Sequence, residues 1–365
     1  AWFRTPELLA RAVEWAPRLP VLAIHTSGPE FAPPWGGYGH ITSLSLSRLG
    51  RREGAAMIAR VTEGKRLPRE VLEQILAKTD GVPLFVEELT KAVLESGLLR
   101  ETGDHFELSG PLPSLAIPST LQDSLMARLD RLAPVKEVAQ IAACIGREFS
   151  HDLLKAVASL DEDSLDDALG RLLDAELIFR KGVPPDVGYS FKHALVQDVA
   201  RESLLKSRRQ QIHARIAGVL ELRSPETTQA EPETLAYHLT GAGLPDRAVP
   251  YWLRAGRVSA ERSANLEAIS HLSKGLEILS ALPENSDRDR LELAFQTAIG
   301  GPLIATYGYA APQMGAAYSR AHVLCDQLGD NSALLATLSG EFIYHFVRGD
   351  YPMMENLAEE ARCAA

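Results

Sequence analysis

Gly81 and Pro83 are the residues of this sequence whose types and spacing point most directly to a shaped site. A glycine can adopt the positive φ that ends one helix, and a proline opening the next helix has a fixed φ and needs no amide partner. The stretch Thr79-Asp80-Gly81-Val82-Pro83 therefore predicts a rigid corner between two helices. One interpretation is that this corner forms a wall of a ligand pocket. Its alternative is an ordinary helix-to-helix connection, which would also explain both residues.

His193 is the second candidate for a binding role, in the segment Tyr189-Ser190-Phe191-Lys192-His193-Ala194-Leu195. Its imidazole can donate a hydrogen bond to a ligand, or it can cap or pack where a strand meets a helix. The other histidines are isolated and show no metal-ligand spacing, so we predict no metal site. No Ser-His-Asp or Cys-His set stands out either, and we predict no catalytic residues.

Two charged segments invite functional readings that we do not favour. Glu87 and Glu88 are predicted to lie at the exposed start of a helix, where the helix dipole favours carboxylates. A basic run farther along the chain is predicted to be a solvated helix face rather than a DNA-binding surface, because the chain as a whole is acidic. That run consists of Arg201, Lys206, Arg208, Arg209, His213 and Arg215.

The motif that grips nucleotide phosphates is absent from the sequence. No Gly-x-x-x-x-Gly-Lys-Ser/Thr pattern occurs, and no apolar strand ending in paired acids precedes Trp2. The phosphate cradle and the carboxylates that would hold Mg²⁺ are therefore both missing. We expect that this chain does not transfer phosphoryl groups by itself and is not an enzyme as given.

Composition restricts which classes of protein remain possible. The 365 residues are 45% hydrophobic and 24% charged, enough for two or three cores, and the net charge of −10 argues against a general nucleic-acid binder. Cys144, Cys325 and Cys363 form no Cys-x-x-Cys pair, which fits a reducing cytoplasm. No apolar run is long enough to span a membrane. Because the sequence starts at Ala1 inside a helix-like segment, we expect a fragment.

Element patterns divide the chain. Residues 7–13 predict a helix, residues 19–24 and 41–46 predict strands, and three helices are predicted over residues 51–61, 68–78 and 84–96. A hairpin turning at Gly103-Asp104 and a linker over residues 111–118 are predicted to follow.

Residues 119–205 predict three helices and then a strand pair, the order of a winged helix. Ser119 or Thr120 is the predicted cap of the first helix, and Asp163 or Ser164 is the predicted cap of the third. The strands are predicted at residues 177–180 and 189–191. From about residue 233 onward, bulky residues such as Trp252 alternate with small ones at helical spacing, which predicts paired helices in repeats.

Three segments resemble the ATPase module of the signal-transduction ATPases with numerous domains (STAND), a module also found beside class III adenylate or guanylate cyclases. They are the corner at Gly81 and Pro83, the segment through His193, and a strand and loop in which Gly28 precedes Pro29-Glu30-Phe31. The tail is similar to tetratricopeptide repeats. Gly28 stands where the family has a sensor arginine.

The resemblance implies a mainly α-helical fold. It would comprise a remnant of an α/β P-loop ATPase core (1–50), a helical lid (51–110), a winged helix (117–205), a connecting helix (206–232) and an α-helical solenoid of incomplete tetratricopeptide-like repeats (233–365). It also implies a nucleotide half-site formed by Gly81, Pro83 and His193, in which Pro83 packs near adenine and His193 reaches the β-phosphate of ADP, with ATP or ADP and Mg²⁺ bound in the intact parent. Ala194 replaces the family's aspartate, so Asp198 is a candidate to hold His193.

The function that follows is a nucleotide-dependent switch joined to repeats that bind a protein partner, lacking its P-loop domain. Two alternatives remain open. The first is a DNA-binding transcriptional regulator, and the second is the regulatory part of a class III nucleotide cyclase.

Overall fold

The computed structural model describes residues 12–28, 31, 33, 37–109, 118–132, 135–182, 187–223 and 230–364. The described residues are mainly helical, as predicted, and they divide into two compact units. One unit comprises residues 45–219, and the other comprises residues 1–44 together with residues 220–365. In the described part of the chain, no helix combines the length and the apolarity that crossing a bilayer requires.

The unit of residues 45–219 begins with three helices, α1 Arg51–Val61, α2 Arg69–Thr79 and α3 Pro83–Leu94. Their apolar faces pack into one core with Ile75 and Leu89 fully buried at its centre. A hairpin follows, with β1 Leu99–Thr102 paired antiparallel to β2 His105–Leu108. The three helices and the hairpin predicted from the sequence are confirmed.

The second half of this unit mixes helices with a small antiparallel sheet. Its elements are α4 Leu121–Arg131, α5 Lys136–Ile145, β3 Glu148–Ser150, α6 His151–Ala158, α7 Glu162–Asp174, β4 Ile178–Lys181, β5 Gly188–Phe191 and α8 Ala194–Glu202. The strand order is β3-β5-β4, so the last strand lies between the other two. Phe149 of β3 stacks on Tyr189 of β5 with ring centroids 5.8 Å apart, which ties the first strand to the sheet.

The predicted strand pair is confirmed, but β3 and α6 are absent from the sequence prediction. A three-residue strand carries a single buried side chain, Phe149, and such a segment has no readable period. The cap of α4 is Thr120, one of the two predicted residues, since its hydroxyl accepts from the Asp123 amide at 3.0 Å. The predicted cap of α7 is wrong. Asp161 caps it, accepting from the Ser164 amide at 2.9 Å.

The remaining helices follow one another without a further strand among the described residues. They are α9 Lys206–Arg223, α10 Pro232–Gly241, α11 Pro245–Glu261, α12 Asn265–Ser280, α13 Ser286–Tyr307, α14 Pro312–Leu328, α15 Asn331–Arg348 and α16 Tyr351–Ala364. From α10 onward each helix packs on the next, which gives a stacked, solenoid-like arrangement within the second unit.

Glycines on these helices receive bulky side chains from their neighbours, as the alternation of small and large residues predicts. A Cβ added to Gly275 would lie 2.2 Å from the Phe295 ring, and one added to Gly300 would lie 2.5 Å from the Tyr318 hydroxyl. Gly340 meets the other edge of the same tyrosine, at 2.3 Å. The absence of a side chain at these positions therefore sets how closely the helices approach.

The strands predicted over residues 19–24 and 41–46 are wrong. The structure assigns no strand there, and Leu22, Ile24, Leu44 and Leu46 are more than 80% exposed. A strand needs a hydrogen-bonded neighbour, and none of the described residues pairs with these segments. The α/β sheet expected in residues 1–50 is thus not found in their described part. Most of the predicted helix at 7–13 and of the linker at 111–118 lies outside the described residues.

Candidate functional site at the helix corner and the Lys192-His193 turn

The corner predicted at Gly81 and Pro83 is present. Asp80 and Gly81 both have left-handed backbones, with φ of 46° and 68°, and they end α2. The Val82 amide donates to the Thr79 carbonyl at 2.9 Å, and Pro83 occupies the first position of α3. The geometry of the corner is confirmed, and its role beside a ligand stays a prediction.

A neighbouring chain segment packs directly on this corner. The Leu49 amide donates to the Gly81 carbonyl at 2.7 Å, and a Cβ at Gly81 would lie 2.1 Å from the Leu49 carbonyl oxygen. Arg48 forms an ion pair with Asp80. Glycine is therefore required by close backbone approach as well as by its positive φ, and the space beside Gly81 is filled by the chain itself.

Glu88 is not at an exposed helix start, and the sequence prediction for it is wrong. Glu88 is 1% exposed, and its carboxylate forms an ion pair with Arg128 of α4, which is 2% exposed. Arg128 also donates to Glu95 at 3.1 Å and to the Ala175 carbonyl at 2.7 Å. The helix dipole explains acids at a free helix end, but here the face that carries Glu88 is covered by α4.

Arg128 of α4 forms ion pairs with Glu88 of α3 and with Glu95, which follows α3. This residue was not identified from the sequence. Burial disfavours its charged form, but Glu88 and Glu95 outweigh this effect and raise the pKa of Arg128 above its ordinary value. The sequence did contain a signal that Arg128 is buried. Arg128 lies three residues after Leu125 and one before Leu129, so it stands inside the apolar stripe of an amphipathic helix.

Glu87, the neighbour of Glu88, is half-buried in a network of four charged residues. Its carboxylate accepts from Lys91 at 2.8 Å and from Lys192 at 2.9 Å. The same two ammonium groups donate to Glu176 at 2.6 Å and 2.8 Å. We call Glu87, Lys91, Glu176 and Lys192 the charge network.

The ion pairs of the charge network shift the pKa values of Glu176 and Lys192 toward their charged forms. Hydrogen bonds from Lys192 and Lys91 lower the pKa of Glu176 to about 2. Burial opposes the charged form of Lys192, but its hydrogen bonds to Glu176 and Glu87 raise its pKa above the usual value. Glu176 and Lys192 are therefore charged at neutral pH, and the ion pairs of the network hold α3, the end of α7 and the turn before α8 together.

His193 lies at that turn, between β5 and α8. It is the N-cap residue of α8, with an extended backbone at φ −132° and ψ 144°, but its side chain makes no capping hydrogen bond. Its Nε2 is buried, and no described residue offers that atom a hydrogen-bond partner. Asp198, the residue expected to hold His193, instead forms an ion pair with Arg201 at 3.2 Å.

The structure joins the predicted site residues through α3. Pro83 opens this helix, and Glu87 and Lys91 lie one and two turns farther along it. Glu87 contacts Lys192 directly, and Lys91 shares the acceptors Glu87 and Glu176 with Lys192. Lys192 is adjacent in sequence to His193. The corner and the Lys192-His193 turn are thus two ends of one charge-linked assembly, which the sequence alone did not indicate.

The basic run is not a uniformly solvated face, contrary to the prediction. Arg208 pairs with Glu137 at 2.6 Å, and Arg215 donates to the Ser159 hydroxyl at 3.0 Å. His213 is 4% exposed. Burial, together with the charges of Arg201 and Arg209, lowers the pKa of His213 to about 4, so it is neutral at pH 7.

Comparison with protein-family models gives no match. Among curated proteins, an uncharacterised protein of Rhizobium meliloti (strain 1021) is 30% identical over 310 residues. The match covers 84% of this chain but 29% of that protein's length, so the chain spans less than a third of the relative.

Among solved structures, the chain is similar to a STAND protein with a tetratricopeptide repeat sensor from Pyrococcus horikoshii. The sequence identity is 12%, the TM-score is 0.35, and the match covers 92% of this chain and 56% of that one. A TM-score of this size does not establish a shared fold, and we draw no argument from it.

Proposed function

We propose that this chain is a regulatory segment of a STAND-type ATPase, which relays a nucleotide-dependent signal and offers helical repeats to a protein partner without catalysing a reaction itself. The observation that carries the proposal is the buried Nε2 of His193, for which the described part of the chain provides no hydrogen-bond partner, in the residue that follows Lys192 of the charge network. A ligand that engaged this imidazole would act on a turn that is already tied to α3 by Lys192.

The topology of residues 136–191 supports a winged helix as the relay element. Its order is helix, strand, two helices and two strands, with the first strand paired to the last, which is the order expected of a winged helix. In this interpretation α7 is the third helix, and β4 and β5 are the strand pair that follows it.

The residues present fit a nucleotide at one point. An imidazole Nε2 without a protein partner costs about 1–3 kcal/mol when buried, and a phosphate oxygen would satisfy it as an acceptor. Gly81 offers no open cradle, because the Leu49 carbonyl fills the space beside it. The sequence has no phosphate-gripping loop, so we propose that this loop and the Mg²⁺ ligands belong to another segment of the parent protein.

Two contact routes lead from His193 toward α3. The first is the charge network, which links Lys192 to Glu87 and Lys91. The second runs through α8, which packs on α4, where Arg128 holds Glu88. In the proposed switch, a change in the position of the His193 ring would bias the packing of α3 against α4 and α8.

The direct test replaces His193 in the parent protein extended through its phosphate loop. We expect His193→Ala to weaken ADP binding about tenfold or more, since a hydrogen bond to a charged group contributes about 1.5–3 kcal/mol. His151→Ala is the matched control, because His151 opens α6 and its imidazole contacts Asp166 of α7 at 3.2 Å rather than the charge network. Equal ADP affinity in both variants would remove His193 from the mechanism.

DNA binding is the alternative that the winged-helix topology raises, and the charge of α7 argues against it. This helix would be the one to enter a DNA groove, yet its exposed residues include Glu162, Asp163, Asp166 and Asp167. Such a surface repels phosphates. Retention of the chain on duplex DNA that weakens steeply with salt would favour the alternative, and no retention at low salt eliminates it.

The partner of the stacked helices is proposed to be a protein, because stacked helical hairpins present an extended binding surface. The nucleotide-cyclase alternative stays a prediction, since neither protein described above is named as a cyclase.

A further inference from the structure

Four side chains from three helices converge in the unit that contains α14 to α16. His322 and Asp326 lie one turn apart on α14, Glu341 lies on α15 and Glu360 on α16. Nδ1 of His322 lies 2.9 Å from a Glu341 oxygen, while Nε2 lies 2.8 Å from a Glu360 oxygen and 3.9 Å from an Asp326 oxygen.

This cluster has an excess of negative charge. Even a protonated His322 would face three carboxylates with a single positive charge, which leaves two negative charges uncompensated. Glu341 is 6% exposed, so part of this excess is held away from water. Arg320, two residues before His322, is engaged by Glu292 of α13 at 2.7 Å. Clustered carboxylates that lack a compensating cation repel one another.

Glu341 gives the imidazole a defined orientation. It accepts the Nδ1 hydrogen, while the Ser319 hydroxyl donates to its other oxygen. When an ion displaces the Nε2 proton that Glu360 accepts, the Nδ1 proton stays on the Glu341 side and the Nε2 lone pair points toward Asp326 and Glu360. A carboxylate behind a histidine is the usual arrangement around a metal-binding imidazole, because it fixes the tautomer and increases ligand basicity.

The spacing of the three remaining ligand atoms fits one ion. His322 Nε2, an Asp326 oxygen and a Glu360 oxygen all lie within 4.8 Å of one another. Ligand atoms bound at about 2.1 Å from a common metal ion lie about 3–4 Å apart. Asp326 is largely exposed, so a small rotation of its carboxylate closes the remaining distance.

We propose that His322, Asp326 and Glu360 bind a divalent transition-metal ion that clasps α16 to α14, with Glu341 as the residue that positions His322. One imidazole and two carboxylates suit Zn²⁺ or Mn²⁺, whereas Ca²⁺ and Mg²⁺ prefer all-oxygen sites. The sequence prediction of no metal site missed this cluster because Glu360 comes from a helix 38 residues beyond His322. This inference does not depend on the proposed nucleotide switch.

The test titrates the chelator-treated 365-residue chain with Zn²⁺ at neutral pH by calorimetry. We expect one ion per chain and a higher melting temperature in its presence. Glu360→Gln is expected to weaken Zn²⁺ binding more than tenfold, and Asp326→Asn likewise. Glu359→Gln is the matched control, since this exposed neighbour pairs with Arg362 outside the cluster, and it should bind as the wild type does.

A second readout separates positioning from folding. Glu341→Gln keeps the three ligands but weakens the hold on Nδ1, and we expect Zn²⁺ affinity to fall 10–100-fold with one ion still bound. The exposed site of Asp326→Asn leaves folding unchanged, so its loss of affinity reports on the ion alone. The proposal is overturned if the wild type takes up no stoichiometric Zn²⁺, or if Glu360→Gln, Asp326→Asn and Glu359→Gln all bind with equal affinity.

Discussion

At the residue scale, a few buried charges decide how this chain is held together. Arg128 and Glu88 are nearly inaccessible to water, and each depends on the other for compensation. Buried pairs of this kind are costly to form and more costly to break, because removing one partner leaves the other charge without water or a counterion. They therefore favour one arrangement of α3 on α4 over a range of similar ones.

Replacing Arg128 with methionine is expected to destabilise the chain by about 3–5 kcal/mol, since Glu88 would be left buried and uncompensated. The change should appear in the free energy of unfolding measured with urea. A double variant, Arg128→Met with Glu88→Leu, should recover much of the loss because it removes both charges. If the single variant unfolds at the same urea concentration as the wild type, the buried pair does not hold α3.

His213 provides a prediction for acid pH. Its folded-state pKa of about 4 lies below the ordinary value of 6.5, so the unfolded chain binds its proton first as the pH falls. Stability should therefore decrease between about pH 6.5 and pH 4, by about 3 kcal/mol from this residue. The free energy of unfolding at pH 7 and at pH 4.5 measures the effect. His213→Gln should flatten that pH dependence, and an unchanged slope would contradict the assignment.

At the scale of elements, the helical stack depends on glycines that admit aromatic rings. Tyr318 lies between Gly300 of α13 and Gly340 of α15, so one side chain fixes the spacing of three helices. Interiors packed in this way cannot absorb an added methyl group without shifting a ring or a backbone.

Gly300 and the adjacent Gly301 offer a matched pair of substitutions in one helix. We expect Gly300→Ala to destabilise the chain by about 1–3 kcal/mol, because its Cβ would overlap the Tyr318 ring. Gly301→Ala meets no atom within 4 Å, so it should be neutral or stabilising by up to about 1 kcal/mol through helix propensity. Thermal unfolding of the two variants distinguishes them. Equal melting temperatures would show that Tyr318 packs elsewhere.

The elements that were predictable from the sequence are those with strong local signals. Gly81 and Pro83 predict the corner through their backbone preferences. The alternation of bulky and small residues around Trp252 predicts closely packed helix pairs. β3 was not predictable, because three residues carry no period and its pairing partner, β5, lies some 40 residues away. The strands predicted at residues 19–24 and 41–46 are wrong because the prediction rested on apolar or alternating runs alone. A sequence pattern does not show whether a neighbouring strand is present to pair with.

The candidate site was less predictable than the fold. His193 was identified by resemblance, and the corner at Gly81 and Pro83 was identified by chain geometry. The charge network that connects the two was not predicted. Lys192 and Glu87 are 105 residues apart, and their contact follows from tertiary packing that no local pattern encodes. For the same reason Glu88 was assigned to solvent, because its partner Arg128 comes from a later helix.

At the scale of the whole molecule, we propose a division of labour between this chain and the rest of a larger protein. The chain contains the corner, the Lys192-His193 turn and stacked helices, while its sequence contains no Gly-x-x-x-x-Gly-Lys-Ser/Thr loop. Under the proposed function, it transmits the nucleotide state of a larger protein and does not bind nucleotide tightly by itself.

Calorimetric titration of ADP into the purified 365-residue chain, and into the parent protein extended through its phosphate loop, tests this claim most directly. We predict no tight binding to the chain and micromolar or stronger binding to the parent. Tight ADP binding by the chain alone would contradict the account, and so would a parent protein that binds no nucleotide.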